Sequence, residues 1–253
     1  MYIGIDIGGT HIRVGASVDG KNLYEKLDFP TKEFEDSFKE IINAVKTFDS
    51  PARNATPARS DAASSGEHSV AGGKVKSVGV SVPGPLSAKT NLVLSSPNLK
   101  GFNEKPLAEM LKENLQVPVK VEHDASAAAL AEATLGAGKG KNPVLYITVS
   151  TGIGSGLIVD GKIYRGLYNP EAGHQIIDTH GPKCRCGQGG DLEAFSSGES
   201  IKTKVGRHPK EVEGSREWYD ALDILAIGIT NSILHYSPEI VVIGGGMSKN
   251  QKI

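Results

Sequence analysis

The stretch YIGIDIGGTHIRVGASVDGK, residues 2–21, decides how the rest of the chain is read. Residues 2–8 alternate apolar with polar or glycine, the period of a half-buried strand, and stop at Gly8-Gly9. A second strand is expected over 11–18. Asp19-Gly20 is a strong hairpin signal leading into a third strand over 21–29. The stretch VLYITVSTGIGSGLIVDGK, residues 144–162, runs the same course. A strand over 144–150 ends in the turn Thr151-Gly152-Ile153-Gly154, and residues 156–159 lead to a second Asp-Gly-Lys at Asp160-Gly161-Lys162. One unit appearing twice, a domain's length apart, predicts two related α/β domains, 1–121 and 122–253, with a cleft between them.

Between the repeats the period changes. Phe34, Phe38, Ile41, Ile42, Val45 and Phe48 fall on one face of a helix expected over 31–48, with Thr31 as its cap. Residues 50–73 are rich in Ala, Ser, Gly, Pro and Arg without period, which reads as a mobile surface insertion. The sequon Asn54-Ala55-Thr56 inside it carries no meaning in a cytosolic chain. A strand over 75–82 ends at Pro83-Gly84-Pro85. A helix over 106–115, a strand over 117–122 and an Ala-rich helix over 125–135 follow. Asp124 therefore sits where a strand meets a helix, a place where Asp is commonly an N-cap.

Composition narrows the function. The chain has 253 residues and a formal net charge of −1, which gives no footprint for nucleic acid or an anionic membrane surface. Hydrophobic residues make up 38%, with no apolar run approaching about 18 residues, so a membrane span is not expected. The N-terminus lacks a basic region and a cleavage signal, which reads as cytoplasmic. The two cysteines, Cys184 and Cys186, are too close for an ordinary disulfide framework and point to a metal.

The glycine turns point to phosphate. Glycine lets the backbone approach a bulky anion, and successive N–H groups in such a turn form an anion-binding concavity. Thr10 with the amides of Gly8 and Gly9 would take one side of a polyphosphate, and Thr151, Gly152 and Gly154 the other. Asp6 would face Mg²⁺ through water. Gly244-Gly245-Gly246 ends the apolar strand Ile240-Val241-Val242-Ile243, the place where α/β sheets bind ligands, and suits a nucleotide base or ribose. Ser96-Pro97-Asn98, Glu171-Ala172-Gly173-His174 and Glu193 offer the paired donors and acceptors a polyol needs. With the carboxylate of Asp124 as a base, the set reads as phosphoryl transfer to a hydroxyl.

Together these residues resemble the ROK family of sugar kinases and related repressors, within the hexokinase/actin-like ATPase superfamily. The run from Gly173-His174 through Gly181-Pro182-Lys183-Cys184-Arg185-Cys186-Gly187 to Leu192-Glu193-Ala194 is similar to that family's signature around a zinc site. The resemblance implies a two-domain actin-like, ribonuclease H-like fold. It implies an ATP-dependent kinase acting on the 6-hydroxyl of a hexose, glucose first, in carbohydrate metabolism and glycolysis, working as a homodimer with ATP, Mg²⁺ and a structural Zn²⁺. Asp124 matches the catalytic base. Asn98, Glu171, His174 and Glu193 match sugar contacts, and His123 stands where the family usually has an Asn that also touches sugar. His11 replaces a frequent Lys, and Asp191 the third Cys of the zinc motif. The expected ligands are His174, Cys184 and Cys186, with Asp191 or His180 as the fourth.

Other readings follow from the same residues. Mannose, fructose and N-acetylhexosamine are alternative acceptors. A sugar-responsive transcriptional regulator would need a helix-turn-helix before the first turn, and Asp6 lies five residues from Met1. A non-kinase ATPase would not need the polyol clusters. The family carries further helices after the third glycine turn, so the chain is expected to continue past Ile253.

Overall fold

The alternating N-terminal stretch folds as β1 (Tyr2–Ile7) and β2 (His11–Ser17), followed by β3 (Glu25–Pro30). This computed structural model describes residues 1–49, 73–87, 90, 92–94, 96 and 99–248. The expected insertion, apart from Gly73, lies outside the described residues, as do the sequon at 54–56 and Asn98. The chain divides into two compact units between Asp124 and Ala125.

In the first unit the described strands form a sheet of order β3-β2-β1-β4-β5, with β4 at Ser77–Val82 and β5 at Val119–His123. The first three are antiparallel neighbours, and β4 and β5 run parallel to β1. The odd residues Ile3, Ile5 and Ile7 and the even residues Val78, Val80 and Val82 share a face. They are buried with Phe38, Ile41 and Val45 of α1 (Phe34–Asp49) and Leu111 of α2 (Leu107–Leu115). The opposite face of β1, carrying Tyr2, Gly4 and Asp6, stays exposed or half-buried.

The second unit begins with α3 (Asp124–Leu135), of which it takes all but the first residue. Its described strands are β6 (Val144–Val149), β7 (Ile153–Val159), β8 (Lys162–Ile163) and β9 (Ile240–Gly244), in the order β8-β7-β6-β9. β6 is antiparallel to β7 and parallel to β9, so this sheet reproduces β3-β2-β1-β4 strand for strand. Leu145, Ile147 and Val149 pack with Leu192, Trp218 and Leu225. Val144 and Tyr146 face Ala129 of α3. Both faces of β6 are therefore covered, which is why VLYITV reads as a near-continuous apolar run with no alternation.

Three local expectations are corrected. Asp19-Gly20 does not close a two-residue hairpin: residues 18–24 intervene before β3. The Asp19 carboxylate accepts the N–H groups of Lys21 and Asn22, bonds that shape a longer loop. Asp160-Gly161 does close a tight hairpin, with both residues at positive φ. Thr31 is not a helix cap; its hydroxyl donates to the Gly8 carbonyl at 2.6 Å, and α1 begins at Phe34. The longest described helix, α6 (Arg216–Tyr236), was not expected. Its buried face, Trp218, Ala221, Leu225, Gly228 and Ser232, mixes in small and polar residues that blunt the apolar period. Among the described residues no helix is long and apolar enough to cross a membrane.

Candidate functional site

In the first unit the chemistry lies on strand ends. The turn after β1 is closed by the Gly8 N–H donating to the His11 carbonyl at 2.9 Å, and Thr31 N–H donates to the Thr10 carbonyl at 2.9 Å. The Gly8 amide is thus committed within the turn, and Gly9 and Thr10 are its exposed members. A Cβ on Gly8 would lie 3.0 Å from the His11 carbonyl oxygen, a tight approach that favours glycine.

Register places Asp6 opposite Arg13 on β2 and beside Ser81 on β4. Asp6 Oδ2 lies 3.2 Å from Arg13 Nη1, and Asp6 Oδ1 accepts from Ser81 Oγ at 2.9 Å. Arg13 also reaches Asp28 Oδ2 on β3 at 3.2 Å. Arg13 and Ser81 were not singled out from the sequence. The signal was present, since two alternating strands joined by a glycine turn put residues 6 and 13 on one face.

Asp124 follows β5 directly and opens α3, so its carboxylate sits at a helix N-terminus, where the dipole favours the charged form. Its side chain is half exposed. His123, the last residue of β5, is buried, and its Nε2 lies 3.3 Å from Asp124 Oδ1.

In the second unit two turns meet at one end of the sheet. Ser150 N–H donates to the Gly152 carbonyl at 2.9 Å, closing the turn between β6 and β7. The first amides of α5 (Gly198–Val205) donate back to it, Gly198 to the Ser150 carbonyl at 2.7 Å and Glu199 to that of Thr151 at 3.1 Å. Beside it, Met247 N–H donates to the Val149 carbonyl at 3.0 Å, which seats the turn Gly244-Gly245-Gly246. A Cβ on Gly245 would collide with the Val149 backbone, and one on Gly244 with the ring and hydroxyl of buried Tyr146. Close packing on β6 thus requires both glycines. Gly154 lies within β7, where a Cβ would meet Ala125 Cβ and Thr148 Cγ2 at 3.2 Å. In the turn between β6 and β7, Ser150 and Thr151 are exposed and Gly152 is half-buried.

The remaining candidates sit off the sheet. Glu171 precedes a single helical turn, Ala172–His174, and its carbonyl accepts the His174 N–H at 3.0 Å. Glu193, in the short helix α4 (Leu192–Ser196), accepts the Ile153 N–H on Oε2 at 2.8 Å and lies 3.8 Å from Cys184 Sγ through Oε1. Asp191 is fully buried. Its Oδ1 caps α4 by accepting the Ala194 N–H at 2.8 Å, and its Oδ2 lies 2.9 Å from His174 Nδ1 and 3.3 Å from Cys186 Sγ.

His174, Cys184, Cys186 and Asp191 each bring one ligand atom, all within 4.8 Å of one another. His180 lies apart, almost wholly exposed, with Nδ1 3.6 Å from Asp178 Oδ1. Burial, then the Asp191 carboxylate, push the Cys184 thiol well above its ordinary range. Burial alone would raise Asp191, but donors from Cys184, His174, Ala194 N–H and Cys186 together hold it below the usual carboxylate value. One nitrogen, two sulfurs and one oxygen match the number and kind of donors that tetrahedral zinc takes.

The ROK family model matches residues 65–253. A glucokinase of Halalkalibacterium halodurans is 28% identical over 98% of this chain and 81% of its own length. The crystal structure of a ROK hexokinase from Thermus thermophilus superposes with a TM-score of 0.80 at 31% identity, covering 98% of this chain and 83% of that one. A ROK glucokinase from Streptomyces griseus, solved with glucose and AMPPNP, gives 0.75 at 27% identity over 98% and 84% of the two chains. Xylose repressors are also among the relatives. The chain belongs to the ROK family and has the actin-like ATPase fold.

Proposed function

We propose that this ROK-family chain is an ATP-dependent sugar kinase that transfers the γ-phosphoryl group to the 6-hydroxyl of a hexose, glucose first, with Asp124 as general base. The observation that carries the reading is the placement of Asp124. It is a half-exposed carboxylate at a strand-to-helix junction, where the helix N-terminus favours negative charge, in a chain whose strands β1, β6 and β9 run into glycine turns. The glucokinase and hexokinase relatives support the same reading, and the AMPPNP complex of one of them supports ATP as donor.

In this mechanism Asp124 accepts the proton of the 6-hydroxyl as that oxygen attacks the γ-phosphorus, and ADP leaves. Gly9, Thr10, Thr151 and Gly152 hold phosphate oxygens, and Gly244 to Gly246 lie against the nucleoside. Such transfer rests mostly on positioning and charge neutralisation. Asp6, with the Ser81 hydroxyl beside it, offers the oxygen donors that Mg²⁺ takes, largely through water. Bound there, the ion would neutralise phosphate charge. Glu171, His174 and Glu193 are the sugar contacts of this proposal. His174, Cys184, Cys186 and Asp191 would hold Zn²⁺, which would pin the loop carrying them.

ADP release measured with and without a panel of glucose, mannose, fructose and N-acetylglucosamine tests the proposal. Hexose-dependent release with the highest kcat/KM for glucose is the expected result. Release indifferent to sugar would make the chain a plain ATPase, and no release with sugar binding intact would make it a sensor.

A further inference from the structure

His123 and Asp124 are neighbours in sequence, and on a continuous strand their side chains would point to opposite faces. The chain passes from β5 into α3 between them, which breaks the alternation and lets the two side chains converge. His123 pairs in register with Val82, on the face that α1 and α2 cover. Its ring is buried, and its N–H donates to Glu122 Oε1 at 3.0 Å, so both ring and backbone are held. Asp124 is half exposed, with Oδ1 3.3 Å from His123 Nε2.

We infer that His123 is a positioning residue for Asp124. Nε2–H donates to Oδ1 and fixes the plane in which the carboxylate meets the substrate proton. This rests on the reading of Asp124 as the base. A buried imidazole needs a partner for its N–H, and the Asp124 carboxylate beside Nε2 is a strong, charge-assisted acceptor. An anchored donor also removes rotamer freedom from the base, and that freedom matters because a small misplacement of a reacting group costs rate steeply. The separation is at the long end for such a bond. Catalytic hydrogen bonds of ligand-free proteins commonly shorten when substrate binds. The assignment differs from a sugar contact, for which a ring this buried presents little surface.

The test uses the whole chain and three substitutions. His123→Gln keeps an N–H close to the position of Nε2. His123→Asn places one near Nδ1, too short to reach Asp124. His123→Leu removes both. At saturating sugar, kcat should fall about tenfold in the Leu and Asn variants, while Gln recovers most of it, with KM for sugar within about twofold throughout. A rise in KM with kcat intact, or better rescue by Asn than by Gln, overturns the inference and makes His123 a sugar contact. Nitrogen NMR of the imidazole gives a reading independent of turnover, and of whether the Leu variant folds. The Nε2–H tautomer, with a signal that moves in Asp124→Asn, is expected, and the Nδ1–H tautomer overturns the inference. If the wild-type chain phosphorylates no hexose, the kinase reading falls while the tautomer still decides the hydrogen bond.

Discussion

β1 and β6 hold the same place in two sheets of the same order, yet YIGIDI alternates and VLYITV does not. One face of β1 is open, so it carries a carboxylate, and the neighbouring strands supply Arg13 and Ser81 in register. Both faces of β6 are packed, so it carries no charged side chain at all. The second unit therefore hangs its polar groups on the loop and short helices of residues 171–193, held by side-chain bonds such as those of Asp191 and Glu193. Register places the first set with backbone bonds. A handful of buried donors and acceptors places the second. The same topology thus yields one half that resists local change and one half that depends on a few contacts.

The sharpest break in that comparison lies in the first unit. Asp124→Asn should leave the melting temperature nearly unchanged and lower kcat about 10²–10⁴-fold, because the residue is half exposed, its place at the start of α3 follows a strand held in register, and only chemistry is lost. A stopped or coupled assay at saturating sugar and ATP measures it. Retention within about threefold removes Asp124 from the role of base.

Metal removal should act on the second unit alone. Protein prepared with zinc and without chelator should carry about one equivalent by elemental analysis. Chelation followed by restored Mg²⁺ should raise KM for sugar about 10–100-fold, and zinc should reverse it. Full activity in chelator, with well under one equivalent of zinc, would mean the loop is ordered by its hydrogen bonds alone.

A narrower test separates turn from loop. Glu193→Ala removes the acceptor of the Ile153 N–H, a part-buried bond, and should cost about 1–3 kcal/mol, read as a fall of several degrees in melting temperature. Arg13→Ala removes ion pairs to Asp6 and Asp28 that are exposed, and should cost about 0.2–1 kcal/mol, an effect that shrinks further in high salt. If the Arg13 change proves larger than the Glu193 change, it is the first unit rather than the second that depends on a few side-chain contacts.

The smallest effect concerns the first Asp-Gly turn. Asp19 accepts N–H groups from Asn22 and Lys21 and is held well below the usual carboxylate range, chiefly by the Asn22 bond. A depressed value means that the bonds stabilise the loop fully above about pH 4, the unfolded value, and that this is lost only as pH falls through the lower folded value. Carboxyl NMR should show Asp19 titrating below the ordinary aspartate value, and a midpoint at that value would mean that the Asn22 and Lys21 bonds do not hold the loop in solution.

Much of this was legible along the chain. The two repeats and the strand ends that carry Asp6 and Asp124 follow from short-range patterns, because alternation and glycine turns act over a few residues, and the spacing of Cys184 and Cys186 pointed to a metal while leaving Asp191 and His180 as rival ligands. The length of the loop after Asp19 did not follow, since an Asp-Gly pair serves a tight hairpin and an Asp-capped loop equally well. The helix Arg216–Tyr236 did not follow either, because its buried face includes Gly228 and Ser232, which show no apolar signal.

The repeated strand order and the chemical types at each strand end were readable along the chain, for those depend on local period and turn stereochemistry. Tertiary structure decided which groups meet. That Asp191 rather than His180 lies beside His174 and the two cysteines, that Glu193 closes on Ile153 from forty positions away, and that a buried His123 turns toward Asp124 are all contacts of side chains across a fold. Their geometry is set by packing and by the need of each buried polar group for a partner, and no pattern along one dimension encodes it.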